Sequence, residues 1–291
     1  MMLVLRDYLE KKGENTVFLN LDIETDKQFF SSQASLINKI RLEIGEKLEE
    51  YLDFGGYPRV VLEDLLTEKT KIINEIYQSY LEKDITYLLR IRKTEEFSHL
   101  VRVLASQIGC LLNASEISRT LGISQKTVKD YLWYLQKTFV LDKVTPYFKN
   151  IRKEIIKSPV FYFYDLGLRN YAVGLFGNIK NSHDKGKLFE NYVFNILKER
   201  FQESPFKIHF WRTKYGAEVD FVLDFTRTQI PMEVKYRDLK KPEITRSFHN
   251  FVSKYNPEKA YIVNLGLDHT LSEKNTDIQF IPFFRLFESL L

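Results

Sequence analysis

The spacing of apolar residues divides the first half of the chain into helical stretches. Apolar positions recur at helical spacing from Ala34 to Tyr51 and from Phe97 to Ile108, which predicts a helix in each range. The run Gly55-Gly56-Tyr57-Pro58 ends the first helix, because two glycines and a proline continue a helix only at high cost. From Val60 to Leu89 the spacing is again helical with charged outer positions, which predicts a helical connector.

Two short helices joined by a glycine are predicted next. Ser115 is a candidate N-cap of the first helix, Gly122 allows a left-handed turn, and Ser124 is a candidate N-cap of a second helix that runs to about Lys137. This is a helix-turn-helix pattern. The alternating segments VLDKV and FYF that follow are predicted to form the β-hairpin of a winged-helix module.

After Gly174 the pattern changes to alternating helices and strands. Asp165 to Asn170, just before this change, is interpreted as a turn between domains in which Gly167 adopts a positive φ. The predicted order is a helix at 185–200, strands at 207–212, 217–225 and 230–236, a helix at 244–254, strands at 260–265 and 278–281, and a last helix to 291. This order predicts a mixed α/β fold.

Four charged residues interrupt two of the predicted strands. Because alternate residues of a strand share a face, Asp220 lies with Glu218 and Val222, and Glu233 lies with Lys235. If the strands form a hairpin that turns near Arg227 and Thr228, Asp220 faces Lys235, and Asp220 and Glu233 become diagonal neighbours at about 7 Å. A metal ion fits between such a pair.

These residue types are those that metal-assisted phosphodiester hydrolysis uses. Asp220 and Glu233 are candidate ligands of Mg²⁺, which prefers a few carboxylate oxygens and keeps several waters. Lys235 is a candidate to orient the attacking water and to stabilise charge on the phosphate. Glu190, a charged residue within the apolar segment GKLFENYVFNIL, is a third candidate that would support the ion.

Each of these residues also has a purely structural interpretation. Asp220, Glu233 and Lys235 would equally suit a polar cluster on the solvent face of a sheet. Glu218 is interpreted as a solvated residue or as a partner of the ligands, and Glu190 as either a ligand or an exposed helix residue.

Basic residues suggest two places that contact nucleic acid. Gln125, Lys126 and Lys129 face outward at the start of the second helix of the helix-turn-helix, where such side chains reach bases or phosphates. Arg212 and Lys214 precede the acidic strand and are candidates for phosphate contacts. The alternatives are a winged helix used for packing or dimerisation, and basic residues that are solvated or paired with nearby acids.

Composition and charge narrow the class of protein. The chain has 291 residues, 44% hydrophobic and 28% charged, with a formal net charge of +4, which permits nucleic-acid binding without proving it. A single cysteine, Cys110, excludes an internal disulfide and favours a reducing cytoplasm. It lies in an apolar run and is interpreted as a core residue. The sequence shows neither a signal peptide nor a run long enough to cross a membrane.

The array of Glu190, Asp220 and Glu233-Val234-Lys235 over an α-β-β-β-α-β order resembles the PD-(D/E)XK nuclease superfamily. A longer series of segments is similar to the family with the domain of unknown function 4143, found after an AAA-type ATPase module, and that similarity runs from about Tyr51 to the C-terminus. The segments are GGYPRVV, LEKDI, the helix-turn-helix, FYFYDLGLRN, GKLFENYVFNIL, WRTKYGAEVDFVL and PMEVK. The resemblance implies a nuclease-like fold with a magnesium site at Asp220 and Glu233.

The N-terminal part departs from this family. Met1 to Asp22 is similar to the helix and strand that follow a P-loop, yet no GxxxxGK[ST] precedes it, so ATP is not expected as a cofactor. The predicted division is an ATPase remnant left by truncation and internal deletion at 1–50, a helical connector at 51–93, a winged-helix module with linker at 94–175, and a PD-(D/E)XK nuclease-like domain at 176–291.

The sequence therefore leads to one principal hypothesis and two rivals. The principal hypothesis is a cytoplasmic DNA-binding protein with a magnesium-dependent nuclease-like domain. The rivals are a catalytically silent regulatory or binding protein descended from an ATPase, and an ATP-binding protein whose glycine loop comes from another chain. Whether the protein forms a homo-oligomer or binds a protein partner stays open.

Overall fold

The structure is a computed structural model that describes residues 33–88, 91, 93–148, 157–181, 183–201, 204, 206–225 and 228–290. The spacing of apolar residues also predicts a helix at Leu3–Lys12 and a short strand at Thr16–Asp22, and both lie outside these residues. The chain divides into two compact units, residues 1–49 and residues 50–291. The candidate site lies in the second unit.

Helices make up most of the described residues between 33 and 140 and return between and after the strands. The α-helices are α1 Gln33–Phe54, α2 Pro58–Val61, α3 Leu66–Ile76, α4 Ile85–Leu88, α5 Thr94–Ser106, α6 Ala114–Leu121, α7 Gln125–Lys137, α8 Leu166–Ala172, α9 Lys185–Arg200, α10 Arg246–Tyr255 and α11 Leu286–Ser289. A π-helical segment, Tyr77–Asp84, joins α3 to α4. Short 3₁₀ helices lie at Ile179–Asn181 and Phe283–Arg285.

Eight strands form one mixed sheet in the described residues, which confirms the predicted mixed α/β class. The strands are β1 Leu141–Pro146, β2 Val160–Phe163, β3 Lys207–Arg212, β4 Glu218–Asp224, β5 Gln229–Val234, β6 Lys259–Asn264, β7 His269–Glu273 and β8 Thr276–Pro282. Their order is β2-β1-β3-β4-β5-β6-β8-β7. Parallel pairs join β1 to β3, β5 to β6 and β6 to β8, and the other neighbours are antiparallel.

The sheet passes through both of the C-terminal modules predicted from the sequence. β1 and β2 form the predicted antiparallel pair. β1 also pairs with β3, through Thr145 with His209 and Pro146 with Phe210. The segment that contains α6 and α7 is therefore joined by main-chain hydrogen bonds to the segment that contains the acidic strands.

The turn between α6 and α7 follows the prediction in two of its three parts. Gly122 is left-handed with φ of 63° and ends α6, and the Ser124 side chain accepts from the backbone N–H of Thr127. The predicted cap at Ser115 is wrong. Asn113 caps α6 instead, because its side-chain oxygen accepts from the backbone N–H groups of Ser115 and Glu116.

The interpretation of Asp165 to Asn170 as a turn is also wrong. Asp165 is the N-cap of α8, with its Oδ1 accepting the backbone N–H of Leu168 at 2.7 Å. Gly167 is not among the positive-φ glycines. Its lack of a side chain serves a close approach instead, since a Cβ there would collide with the backbone carbonyl of Phe54.

Apolar layers cover both faces of the sheet. On one face α10 contributes Phe251 to a buried cluster that also includes Trp211, Val219, Val222 and Ile262. Trp211 is buried within this cluster. On the other face α9 supplies Phe194, whose ring stacks on Tyr162 at a centroid distance of 4.8 Å. The two helices thus enclose the central strands β4 and β5.

Two further observations bear on the expectations from the sequence. Cys110 is exposed, so its interpretation as a core residue is wrong. The apolar run around it ends in a turn after α5 in which the main chain carries Cys110 outward while Ile108 and Leu112 are buried. Among the described helices, none combines the length and the apolar composition that a membrane span requires.

Candidate active site

A β-bulge in β4 determines where Asp220 lies. His209 pairs with Val222 and Trp211 pairs with Val219, so three steps along β4 match two steps along β3. One residue of β4 is therefore extra, which is the definition of a bulge. Bulges change the direction of side chains and are common beside active sites.

The bulge breaks the strict alternation expected from the sequence. Val219 and Val222 both belong to the cluster under α10, whereas alternation would put them on opposite faces. Phe221 contacts the α9 side, with its ring centroid 5.7 Å from that of Tyr162. Asp220 interacts electrostatically with Glu190 of α9, so the predicted face shared by Asp220 and Val222 is wrong.

The pairing of β4 with β5 also differs from the predicted register. Phe221 pairs with Met232, and the last backbone bond before the turn joins Phe225 to Thr228 at 3.0 Å. The turn is centred one residue earlier than expected, which shifts the pairing by two residues. Continuing this register by one step sets Asp220 opposite Glu233, so the predicted partner Lys235 is wrong.

Asp220 is held against the strand that carries Glu233 and Lys235. Its Oδ2 accepts the backbone N–H of Val234, the residue between those two, at 2.8 Å. Burial and then the charge of Glu190 raise the pKa of Asp220 well above its usual range, and Glu233 contributes in the same direction. The Val234 N–H and the ammonium of Lys187 oppose this rise. Asp220 is thus a carboxylate that lies close to other carboxylates.

Glu190 lies on the buried face of α9 and is bonded at both oxygens. Tyr162 donates to Oε1 at 2.5 Å and Lys187 donates to Oε2 at 2.8 Å. Burial raises the pKa of Glu190, while Lys187 and Tyr162 lower it. Its exposure of 7% excludes the interpretation as an exposed helix residue.

Lys187 forms an ion pair with Glu190 at 2.8 Å and also interacts electrostatically with Asp220. Burial alone would lower the pKa of Lys187, but Glu190 and Asp220 raise it above its ordinary value. The backbone of Gly109, which has φ of 68°, lies against the same pair. A Cβ at Gly109 would come within 2.9 Å of Lys187 Cδ and 3.1 Å of Glu190 Oε1. The turn after α5 therefore covers one side of the Lys187–Glu190 pair.

Glu233 and Lys235 share a face, as predicted, and form an ion pair at 3.5 Å in which both side chains are mostly buried. Thr245 donates its hydroxyl to Glu233 Oε2 at 3.1 Å. The same hydroxyl accepts the backbone N–H of Phe248 and so caps α10. Glu233 therefore lies at the N-terminus of a helix, where a negative charge is favoured.

The expected Mg²⁺ requires oxygen ligands, which the carboxylates of this site can supply. Within the described ranges, no three His, Cys, Asp or Glu side chains are grouped as ligands of one ion. Mg²⁺ is commonly held by one or two carboxylates together with waters, so Asp220 and Glu233 still provide a suitable donor set. Glu190, bonded at both oxygens, fits a supporting position better than direct ligation.

The candidate nucleic-acid residues lie at two places. Gln125, Lys126 and Lys129 are exposed on the first turns of α7, as predicted. Arg212 is exposed and forms an ion pair with Glu218 at 3.5 Å, and Lys214 is exposed in the turn before β4. Arg212 and Glu218 thus pair with each other, as the structural interpretation of these residues expects. Lys214 and the α7 residues are accessible to a ligand.

Three residues of the site were missed in the sequence. Lys187 precedes Glu190 by three positions on a predicted helix, a spacing that places two side chains together, so this pair was detectable. Thr245 also had a signal, because a threonine just before a helix is a frequent N-cap. Tyr162 had none, since it reaches Glu190 only through the packing of β2 under α9.

Similar proteins exist in distant organisms, and their names state no activity. An uncharacterized protein of Haemophilus influenzae is 32% identical over 199 residues, which are 66% of this chain and 44% of that protein. An uncharacterized protein of Mycobacterium tuberculosis is 27% identical over 174 residues, which are 59% of this chain and 38% of that protein. An uncharacterized protein of Methanocaldococcus jannaschii is 24% identical over 260 residues, which are 84% of this chain and 56% of that protein. The chain thus spans about half the length of these curated relatives.

Two family models match the chain. The one described as "Domain of unknown function (DUF8612)" matches residues 45–178. The one described as "Domain of unknown function (DUF4143)" matches residues 185–284. The resemblance to family 4143 is therefore confirmed over the segment that contains Glu190, Asp220, Glu233 and Lys235.

Proposed function

We propose that this chain binds nucleic acid and hydrolyses phosphodiester bonds with magnesium at a PD-(D/E)XK-like site. The observation that carries the proposal is the hydrogen bond from the Val234 N–H to Asp220. It fixes Asp220 against the Glu233-Val234-Lys235 segment, while Glu190 faces Asp220 from α9. The order α9-β3-β4-β5-α10-β6 supports the proposal, because it is the α-β-β-β-α-β order that the superfamily resemblance implies.

Each residue has a distinct role in this proposal. Asp220 and Glu233 would hold Mg²⁺, which when bound supplies a water of lowered pKa and neutralises charge on the phosphate. Lys235, held by Glu233, donates to a phosphate oxygen and orients the attacking water. Glu190 and Lys187 set the charge beside Asp220, so that the site stays negative enough to attract a cation without excessive repulsion among its acids.

The α7 surface supports the nucleic-acid part of the proposal. Lys126, Lys129, Trp133 and Lys137 recur at helical spacing and are all exposed, so they form one solvent-facing stripe. Trp133 is 53% exposed, and Lys137 lies over its ring at 5.8 Å. A basic helix after a tight turn, followed by an antiparallel strand pair, suits a winged-helix module that contacts phosphates with lysines and bases with polar or aromatic side chains.

Cleavage assays test the catalytic part of the proposal. Plasmid and branched DNA are incubated with magnesium, and the wild type is compared with Asp220→Ala and Lys235→Ala. We expect each variant to lose about 100-fold or more in rate, because each removes a group that stabilises the transition state. Asp224→Ala, in the same strand, is the matched control and should retain wild-type cleavage. Unchanged cleavage in both site variants would reject this site.

Binding measurements test the α7 surface separately. Lys126→Glu should weaken binding to duplex DNA about tenfold and reduce the dependence of log affinity on log salt by about one, since one phosphate contact is lost. Lys259→Glu, at the exposed first residue of β6, is the matched control. Equal affinity in the two variants would exclude α7 as the contact surface.

A catalytically silent binding protein is the second candidate, and one observation favours it. Glu190 and Glu233 are already bonded within the chain, the former by Tyr162 and Lys187 and the latter by Lys235 and Thr245. This candidate predicts no heat of Mn²⁺ binding in calorimetry and no cleavage, with DNA retention still sensitive to Lys126→Glu. The AAA-type ancestry and the ATPase remnant stay predictions, since residues 1–32 lie outside the described part of the chain.

A further inference from the structure

A cleft of about 460 Å³ opens between β1 and β3, beside the C-terminal half of α9. The last two residues of β1 pair with the middle of β3, through Thr145 with His209 and Pro146 with Phe210. Earlier in both strands the main chains diverge, and side chains line the gap between them. Its volume lies within the range of about 300–1,000 Å³ that is typical of small-ligand sites.

Positive charge dominates the polar part of the lining. Lys143, Lys198 and Lys207 line the cleft together with one acid, Asp142. Asp142 is already occupied, because its Oδ2 accepts from Lys198 at 2.8 Å and from the hydroxyl of Tyr164 at 3.2 Å. Because Lys198 and Asp142 balance each other, the net positive charge of the cleft comes from Lys143 and Lys207, and it favours an anion.

The remaining wall is aromatic. Phe194, Phe201 and Phe206 line the cleft, and the rings of Phe201 and Phe206 meet edge to face at 5.7 Å. Phe225 supports both of these rings from behind, at centroid distances of 5.8 Å and 3.9 Å. Phe206 keeps 36% of its surface exposed, so its ring is accessible to a ligand. An aromatic wall of this kind favours a flat ring in the ligand.

A buried polar pair lies where β1 and β3 rejoin. His209, which is 2% exposed, lies with its Nδ1 at 3.1 Å from the hydroxyl of Thr145. Both residues line the cleft. Because strand pairing fixes the positions of both residues, ligand binding at this end of the cleft needs little rearrangement.

We propose that this cleft binds a nucleotide, with the phosphate held by Lys143, Lys198 and Lys207 and the base packed on Phe201 and Phe206. The ligand is either a free mononucleotide or one unit of a single strand, since both present a phosphate beside an aromatic ring. The cleft is distinct from the acidic site but adjoins it. Phe194 lines the cleft and stacks on Tyr162, which donates to Glu190.

Calorimetry with 5′-AMP in EDTA tests the proposal without involving any metal site. We expect 5′-AMP to bind at least tenfold more tightly than inorganic phosphate or adenosine alone, because only the nucleotide contacts both the lysines and the aromatic wall of the cleft. A five-residue single-stranded oligonucleotide is titrated in parallel. If the oligonucleotide displaces 5′-AMP, the ligand is a unit of a single strand. If it does not, the ligand is a free nucleotide. Either result supports nucleotide binding in the cleft.

Substitutions in the cleft test whether 5′-AMP binds there. Lys143→Glu combined with Lys207→Glu should weaken 5′-AMP binding at least tenfold while leaving the melting temperature unchanged, since both side chains are exposed. Phe206→Ala should reduce the preference for 5′-AMP over phosphate. Lys240→Glu, exposed in another part of the chain, should bind as the wild type does.

Two outcomes would overturn the proposal: no heat with 5′-AMP or the oligonucleotide at millimolar concentration, or binding that the double lysine variant leaves unchanged. Asp220→Ala should bind 5′-AMP normally, so a failure of the nuclease proposal would not affect this result.

Discussion

Asp165 and Asp220 are both carboxylates with a raised pKa, yet their surroundings differ. Burial raises the pKa of Asp165, and backbone N–H groups oppose the rise, among them those of Gly56 at 2.8 Å and Leu168 at 2.7 Å. Asp220 accepts the backbone N–H of Val234 and lies beside Glu190 and Glu233. A carboxylate with several donors stabilises the fold, whereas one placed among other carboxylates costs stability and suits a cation.

The largest expected difference between the two carboxylates is in unfolding free energy. Asp165→Ala should lower it by about 2–3 kcal/mol, because α8 loses its N-cap and the Gly56 N–H loses its acceptor. Urea denaturation measures this loss. Asp64→Ala, at an exposed position, should change stability by less than about 0.5 kcal/mol. A loss no larger than that of the control would contradict the structural role of Asp165.

A divalent metal ion should stabilise the folded protein through Asp220 and not through Asp165. At ten times its dissociation constant, Mn²⁺ or Mg²⁺ should add about 1.4 kcal/mol to the stability of the wild type, because it binds only the folded state. Asp220→Asn should abolish this gain, and Asp224→Asn should keep it. Thermal melts with and without EDTA measure the effect. An equal gain in Asp220→Asn would mean that the ion binds elsewhere.

The smallest expected effect has the opposite sign to that of Asp165→Ala. In EDTA, Asp220→Asn should raise the unfolding free energy by about 1 kcal/mol at pH 8, because it removes a charge that Glu190 repels and keeps an acceptor for the Val234 N–H. A loss of stability in Asp220→Asn would mean that Asp220, like Asp165, stabilises the fold.

The pH dependence of this gain has a definite sign. The pKa of Asp220 in the folded protein lies above the ordinary value of 3.8, so the folded state holds this proton more tightly than the unfolded state does. The stability that the group contributes is fully present below pH 3.8 and is lost as the pH rises through the raised pKa. Asparagine has no such proton, so the gain from Asp220→Asn should be larger at pH 8 than at pH 5.

Local patterns in the sequence predicted the elements on which the site is built. The bounds of α9 and β3 match the predictions at 185–200 and 207–212. The turn glycine Gly122 and the cap Ser124 were also identified, because each depends on the conformation of a few adjacent residues. Strand β7 was missed, since its sequence HTLSE is short and largely exposed and has little apolar alternation.

The composition of the candidate site was predicted more completely than its geometry. Glu190, Asp220, Glu233 and Lys235 were chosen from residue type, spacing and family resemblance. The partner predicted for Asp220 was wrong, because the turn between β4 and β5 is centred one residue earlier. Such a shift leaves the apolar pattern of each strand unchanged, so the sequence contains little information against it.

The sequence by itself determined most of the order of helices and strands, the mixed α/β class and the charged residues that interrupt β4 and β5, since these depend on periodicity and on local backbone preferences. Only the tertiary structure decided that a bulge turns Asp220 toward α9, that Tyr162 and Lys187 bond to Glu190, and that β1 and β3 diverge to open a cleft. These features arise from contacts between residues far apart in the chain. Their energies depend on how whole elements pack together, which no short stretch of sequence specifies.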